Sequence, residues 1–508
     1  MSVSVIEKHS PVTGEKLGEY HISTPDEVEA AVARARSAFP AWRDRSLEER
    51  FEVLDRIREI IKDRGEEFAR RISADTGKAL LDALMTEILV VPLFIDHYRR
   101  RASKILKSRK IWPGMLFPGK KAHVEYFPMG VIGVISPWNF PFQLSMVPVL
   151  SALIGGNTVV LKPSEVTPMT GELMKELFEA AGVPEGVVEV VQGDGSTGAA
   201  LVESDIDMVF FTGSVATGRK VMAEAAKKPI PVELELGGKD AMIVCADANL
   251  RRAAKGAVWG ALINGGQMCI SVERLIVVEE VYDEFVEMVQ EEINKVKVGD
   301  TPDSDMGAIT FPPQLEIIED HVNKAVEAGA KVLCGGKRLE RDGMFYAPTL
   351  ITEVDTDMDI YTEETFGPVL PVIKVKDEDE AIKLANEHQY GLTGSVWTSD
   401  LDKGKRLASL MECGQVGVND IVQSVGNPKL PFGGVKSSGF GRYHGDEGIL
   451  TFMHAKAVMV SSGRADSEPV WFPYHGKYEH MTELFNSLLE GKWLGVGKAF
   501  VQLLRKGD

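Results

Sequence analysis

Of the four cysteines in this chain, one has neighbours unlike the rest. In "NGGQMCISVERLIVVEE", residues 264–280, Cys269 stands between a glycine pair and a β-like run. It could be core packing, half of a disulfide, a metal ligand or a nucleophile. Across 508 residues, Cys245, Cys269, Cys334 and Cys413 are separated by 24, 65 and 79 positions. No C-x-x-C pair exists and no histidine completes a zinc spacing, so no metal site is expected. The opening "MSVSVIEKHS" lacks the basic start and apolar run of a secretory signal, and a chain that is 44% hydrophobic can bury a core without covalent staples. Free thiols in a cytoplasmic, reducing setting are the expectation. Cys245, Cys334 and Cys413 each lie in or beside an apolar run and read as small buried hydrophobes. Around Cys269 the glycines let the backbone approach a ligand, and a helix over 253–262 should deliver the cysteine at its end. A thiolate held there could add to a carbonyl carbon.

A nucleophile of that kind works beside a base. Glu235 lies between Leu234 and Leu236 in "ELELGG". A carboxylate at an apolar strand end has its pKa raised by desolvation, towards the range where it can accept a proton from water. Its neighbour Glu233 reads as a charge on the strand's solvent edge. Asn139 in "PWNFP" either offers its amide to a developing oxyanion or only closes a turn between Pro137 and Pro141. "TGSVATG" places Gly213 and Gly218 five apart, unlike G-x-G-x-x-G, yet it still forms a strand-to-helix turn whose N–H groups favour phosphate.

The elements that must hold these residues alternate. "STPDEVEAAVARA" opens with a capping box at Thr24 and Glu27 and a proline at the first helical position, and the first hundred residues look helical. From residue 158, "TVVLKP", "PMTGELMKELFEAAG", "GVVEVVQG" and "IDMVFFTGS" read strand, helix, strand, strand, and a second such series follows Gly237 and Gly238. That pattern implies two α/β domains with parallel sheets. A net charge of −18 argues against nucleic-acid binding. From Tyr126 to Leu161 no Asp, Glu, Lys, Arg or His occurs, longer than the ~20 apolar residues that cross a bilayer. Pro128, Pro137, Pro141 and Pro148 break the run into strand, loop, helix and strand, so a buried site floor is expected instead of a membrane span.

Seven stretches, "SPWNFPF", "LKPSEVTP", "FFTGSVATGRKV", "LELGGKDAMIV", "GGQMCIS", "EETFGPVLPV" and "PFGGVKSSGFGR", resemble in order and spacing the motifs of the NAD(P)-dependent aldehyde dehydrogenase superfamily, over roughly residues 8–460. The resemblance implies an α/β fold of two Rossmann-like parallel-sheet domains with a small β oligomerisation arm. It places the cofactor domain at 1–120, 139–234 and 430–452, the catalytic domain at 235–429, the arm at 121–138 and 453–465, and a C-terminal extension at 466–508. It implies oxidation of an aldehyde to the acid, with Cys269 as nucleophile, Asn139 and the Cys269 N–H as oxyanion donors, and Glu235 as the base that hydrolyses the thioester.

The same resemblance assigns Gly213, Ser214 and Gly218, with Trp138 nearby, to the pyrophosphate side of the cofactor. Lys162, Ser164 and Glu165 fall to the adenosine side, Glu364 and Phe366 to the nicotinamide side, and Leu236 beside them. NAD is expected over NADP, because Glu165 would face the free 2′-hydroxyl. Phe140, Leu144, Val147, Met268, Ile270 and Phe432 match the substrate tunnel. No arginine is among them, which leans towards a neutral, hydrophobic aldehyde. A CoA-acylating relative is the nearest alternative, though such members characteristically lack a glutamate at the place of Glu235; a non-catalytic protein on the same fold would be expected to have lost Cys269, Glu235 or Asn139. A homodimer or homotetramer is expected, with "AKAVMVSS" adding to the neighbour's catalytic sheet. In the extension, "TELFNSLLEG" with Leu484, Phe485, Leu488 and Leu489 should be an amphipathic helix, and "WLGVGKAFVQLLRK" a second. They would pack on the subunit or its mate, with a membrane-surface or partner contact as the alternative.

Overall fold

A computed structural model describes residues 4–464 and 466–505. It divides into two compact units, one of residues 1–106 with 127–454 and the other of residues 107–126 with 455–508. The sequence reading had drawn the arm at 121–138 with 453–465 and set 466–508 apart.

Among the described residues the larger unit holds two small two-stranded sheets, Val5–His9 with Lys16–His21 and Tyr390–Gly391 with Val435–Lys436, and two large ones. The first runs Gly439–Phe440, Val232–Glu235, Met208–Thr212, Val131–Ile135, Thr158–Lys162 and Val188–Val190, parallel throughout except for the short first strand, which is antiparallel to Val232–Glu235. The second runs Lys331–Cys334, Thr349–Thr352, Val369–Val375, Val272–Val278, Asp240–Val244, Thr393–Trp397 and Gln415–Val418, parallel except at Lys331–Cys334. The central strand Val131–Ile135 is buried at every position, which is why it reads as an unbroken apolar run, while Val272–Val278, buried as fully, carries Glu273 and Arg274, whose charged groups are bonded inside.

The helix Pro25–Arg43 begins in the expected capping box, Thr24 with Glu27, and Ser46 with Glu49 repeats the device at the start of Leu47–Thr76. The uncharged stretch becomes the strands Val131–Ile135 and Thr158–Lys162 and the helix Gln143–Gly155, whose 13 residues are all buried. A helix apolar on every side must be enclosed, and each Val, Leu or Ile so buried contributes about 1.5–3 kcal/mol. Among the described residues no helix is long and apolar enough to cross a membrane.

In the smaller unit, Met453–Val460, Lys121–Pro128 and Arg109–Ile111 form a three-stranded sheet in that order. The helices Tyr478–Leu489 and Trp493–Arg505 pack on each other through Leu484, Val496, Ala499 and Leu503. Phe485 and Leu489 lie outside that contact, at 59% and 73% exposure.

Candidate active site

Every predicted catalytic residue follows a strand or helix end. Asn139 lies in the loop after Val131–Ile135, and Glu235 closes Val232–Glu235, both at the carboxyl edge of the first sheet, where α/β proteins place their ligands. Cys269 comes from the other sheet, between the helix Leu250–Leu262 and the strand Val272–Val278. The "NGG" before it has a physical purpose. Asn264, Gly265 and Gly266 all take positive φ, at 54°, 65° and 71°, and a Cβ at Gly266 would stand 2.1 Å from the Gly367 carbonyl oxygen. A Cβ at Gly238 would stand 2.1 Å from the carbonyl oxygen of Cys269, so the two segments touch only because that position is glycine.

Two cavities meet at these residues. The larger, about 480 Å³, is lined by Met85, Leu89, Leu93, Phe140, Trp259, Met268, Ile270, Val422 and Phe432 among others, and among the described residues no Lys, Arg or His faces it. The smaller, about 180 Å³, is lined by Trp138, Asn139, Gly213, Ser214, Gly237, Gln314, Glu364 and Phe366 among others. Cys269, Glu235, Leu144, Thr212 and Leu236 line both. The thiol and the carboxyl therefore stand where an apolar compartment opens into a polar one. Of the predicted tunnel residues, Phe140, Leu144, Met268, Ile270 and Phe432 line the larger cavity, while Val147 is fully buried in its helix and lines neither.

Burial sets the electrostatics. It raises the Glu235 carboxyl well above the usual range, with the Glu233 carboxyl adding to the shift, and neither Glu235 oxygen has a hydrogen-bond partner. The Cys269 thiol is also pushed well above its ordinary value by burial, then by the carboxyls of Glu364, Asp240 and Glu235. Glu233 is not the solvent-edge charge expected of it. It is 6% exposed and pushed up to about 8 by burial, because the strand Gly439–Phe440 pairs alongside and a Cβ at Gly441 would fall 1.9 Å from its Oε2.

Buried ion pairs brace the loops. Lys78 and Glu87, both fully buried, lie 2.5 Å apart; Lys78 Nζ donates to the Asn139 carbonyl at 2.8 Å, and Glu87 Oε2 accepts from the N–H groups of Phe142 and Gln143 at 3.1 and 2.9 Å. Asn264 Nδ2 donates to the same Asn139 carbonyl at 3.0 Å, and the Asn139 amide donates to the Gln267 carbonyl at 3.0 Å. The asparagine loop and the cysteine loop are thus tied to each other. On the other side Lys239 pairs with Glu273 at 2.6 Å, and the Glu273 carboxylate accepts from the N–H groups of Thr365 and Phe366 at 2.7 and 2.8 Å.

The smaller cavity has the shape of a cradle. Glu364 Oε1 accepts from Gly238 N–H at 2.9 Å, a Cβ at Gly237 would meet Glu364 Oε2 at 2.4 Å, and Phe366, at φ 52°, sets its ring 5.4 Å from Trp138, edge to face. Ser214 caps the helix Val215–Ala225 through the Thr217 N–H, and Gly218 packs on Leu236. Lys162, Ser164 and Glu165 lie at and after the end of Thr158–Lys162, where Lys162 Nζ is 2.9 Å from Glu165 Oε2; these three and Gly218 line neither cavity.

Residues 2–458 match the model of the aldehyde dehydrogenase family. The chain belongs to that family. This aldehyde dehydrogenase is 43% identical over 466 residues, 92% of its length and 87% of the other's, to a protein of Methylomonas sp. named 4,4'-diapolycopene aldehyde oxidase. It is 38% identical over 454 residues, 88% of its own length and 87% of the other's, to a Mycolicibacterium smegmatis protein provisionally named a succinate-semialdehyde dehydrogenase acting with NADP(+). Its fold matches the crystal structure of a Mycobacterium tuberculosis aldehyde dehydrogenase complexed with NAD+ at a TM-score of 0.87, with 36% identity over 92% of this chain and 96% of that one. As a member of this family it is an NAD(P)-dependent enzyme that oxidises aldehydes to acids. Lys78, Glu87 and Glu273 had no signal in the sequence beyond being charged near apolar residues, since the backbone groups they hold come from distant segments; Asn264 and Gln267 fall in the quoted "NGGQMC", where they bond each other, but their ties to Asn139 are equally remote.

Proposed function

We propose that this aldehyde dehydrogenase oxidises a neutral, apolar aldehyde with NAD in preference to NADP, and releases the free acid by hydrolysis. The observation that carries the reading is the compartment of about 480 Å³ that ends at Cys269 and Glu235 with no Lys, Arg or His among its described lining residues. A semialdehyde with a carboxylate tail would need an arginine or lysine there to offset the cost of burying its charge. An alkyl or polyene tail needs only the apolar surface that is present. The name of the Methylomonas relative fits that class, and the name of the mycobacterial one does not.

The steps follow from the chain's own groups. Glu235 takes the thiol proton, directly or through water, and the Cys269 sulfur adds to the aldehyde carbon. The Asn139 amide and the Cys269 N–H hold the oxygen that becomes negative. When bound in the cradle of Trp138, Glu364 and Phe366, the nicotinamide supplies the hydride acceptor. Ser214 and the N-terminus of Val215–Ala225 suit its pyrophosphate, and Lys162 with Glu165 its adenosine ribose. Once hydride has left the thiohemiacetal carbon and its oxygen has re-formed the carbonyl, the carbon is a thioester. Glu235 passes the thiol's proton on to solvent, then draws a proton from water; the water oxygen attacks the thioester carbon, and the C–S bond breaks as that proton returns to the sulfur.

The test is a panel of aldehydes of rising chain length beside succinic semialdehyde, scored by NADH absorbance, in wild type and in Cys269→Ala. kcat/KM should rise about tenfold or more from short to long apolar aldehydes, as ~0.8 kcal/mol per buried CH₂ implies. The semialdehyde should be poor, and Cys269→Ala should lose activity while still binding NAD. A semialdehyde preferred over the long apolar aldehydes would overturn the substrate class; a Cys269→Ala variant with a tenth of the wild-type rate would overturn the nucleophile.

A further inference from the structure

The smaller compact unit has a surface unlike the rest of the chain. In "KSRKIWPGMLFPGKK", residues 107–121, the tip exposes Trp112 at 76%, Met115 at 51%, Leu116 at 42% and Phe117 at 43%, and five cations flank it, Lys107, Arg109 and Lys110 before and Lys120 and Lys121 after. Among the described residues only Lys120 of these five is ion-paired, to Glu468 at 2.9 Å, and that contact joins the loop to the start of the C-terminal segment. There Trp471, Phe472 and Tyr474 are exposed at 57%, 77% and 61%.

The helices beyond add second apolar faces. With Leu484, Val496 and Leu503 spent on the contact between them, Phe485 and Leu489 on one helix and Trp493 and Leu494 on the other remain outside, Leu494 at 94% exposure. An amphipathic helix has one apolar face; these have a face buried and another bare.

Charge separates the same way. The segments 107–126 and 455–508 carry twelve Lys and Arg against seven Asp and Glu, a net of +5, in a chain whose total is −18, so the rest carries −23. They also hold three of the chain's seven tryptophans.

We infer that the loop 111–117, the segment 470–474 and the outer faces of the two C-terminal helices form a docking surface for an anionic lipid bilayer. Tryptophan and tyrosine prefer the boundary between headgroups and acyl chains, and basic residues beside an apolar tip meet the phosphates. Lysines suit this better than a protein partner. Four of the five loop cations are lysine, which protein interfaces deplete, whereas at a lipid surface the long stem lies along the apolar layer and the ammonium reaches the headgroups. Since fields fade within about 8–10 Å at physiological salt, the local +5 governs the encounter more than the distant acidic groups do. Among the described residues no helix is long and apolar enough to span, so the proposed surface lies on the membrane. A second copy of the chain is left the open backbone edge of Met453–Val460. The inference stands apart from the substrate class, because its test reads binding and not turnover.

The full chain is mixed with phosphatidylcholine vesicles with and without phosphatidylglycerol and floated on a density gradient. Binding should be about fivefold or more higher on the anionic vesicles and fall by a similar factor at about 0.5 M salt. Trp112→Ser with Phe117→Ser should lower it about tenfold, and Lys110→Glu with Lys121→Glu should erase the preference for anionic lipid. Both variants should keep wild-type mass by light scattering and wild-type turnover of a short, water-soluble aldehyde. No flotation of the wild type, equal binding to both vesicle types, or variants that float normally but change their oligomeric mass would overturn it. The last of these would give the surface to a second copy.

Discussion

Glu235 and Cys269 share one low-dielectric junction, and both are shifted towards their neutral forms by burial. A carboxyl with a raised pKa holds its proton to higher pH than a free one and becomes a base only as pH rises; the thiol behaves alike. kcat/KM should therefore climb as pH rises. Glu233, pushed up to about 8, adds negative charge beside Glu235 over the same span and resists its ionisation. Glu233→Gln removes that resistance, so the rising limb should move to lower pH; a limb that stays or moves upward would show that Glu233 is not coupled to the base. Glu235→Gln should give a burst of about one NADH per site and then stall, with steady turnover down by about 10²–10⁴, because hydride leaves before water attacks. Mass spectrometry of the stalled enzyme should find the acyl group on Cys269. In the function proposed above, cofactor choice would turn on Glu165, whose half-exposed carboxylate is paired with Lys162. A 2′-phosphate would bring about −1.5 to −2 charges to that carboxylate, and a like pair at 4 Å costs about 1 kcal/mol in water and ~4 at an effective dielectric of 20. Lys162 offsets part of this, so NAD should be favoured about ten- to a hundredfold in kcat/KM. Glu165→Gln should raise NADP use and lower NAD use only modestly; an unchanged ratio would mean that Glu165 does not face the ribose.

At the scale of elements, the alternation of strands and helices and the capping box at Thr24 were legible because they depend on neighbours within a few residues. Glu233 was misread for a related reason. Glu-Leu-Glu places both glutamates on one strand face, and nothing local says that Gly439–Phe440, about two hundred residues on, pairs along that strand's edge and brings Gly441 against the Glu233 carboxyl. Val147 shares a helix with Leu144 at a spacing that predicts a common face, yet the helix is enclosed on all sides and only its first turn reaches the cavities. The brace under Asn139 was hidden more fully, since Lys78 and its Asn139 partner are 61 residues apart. That brace should be costly to break. Glu87 stands at the start of Gln143–Gly155, accepts two backbone N–H groups there and neutralises Lys78. Glu87→Ala would strand a buried ammonium and two amides, a loss of about 3–5 kcal/mol. Denaturant unfolding should show that loss, and surviving enzyme should have a lower kcat because the Asn139 loop is freed. A loss under 1 kcal/mol would mean that water replaces the carboxylate.

The whole molecule leaves an edge unsatisfied. Met453–Val460 is the outer strand of its three-stranded sheet, and most of its residues are exposed, including Met459 and Val460 at 51% and 47%. An eight-residue outer strand invites pairing, and a closed symmetric pair removes the edge from both partners at once. The seven-stranded sheet offers a partner edge in Gln415–Val418, its last strand. Addition of one copy's Met453–Val460 to the other's Gln415–Val418 would be reciprocal, so the smallest closed assembly is a dimer, and two dimers can join without using this edge again. Light scattering at micromolar concentration should give twice or four times the chain mass. Val458→Pro removes a backbone donor in mid-strand and should shift the mass towards one chain, with loss of thermal stability that depends on protein concentration. A wild-type monomer would refute the pairing. A Val458→Pro variant that keeps both its fold and its full mass would show that the assembly is held elsewhere.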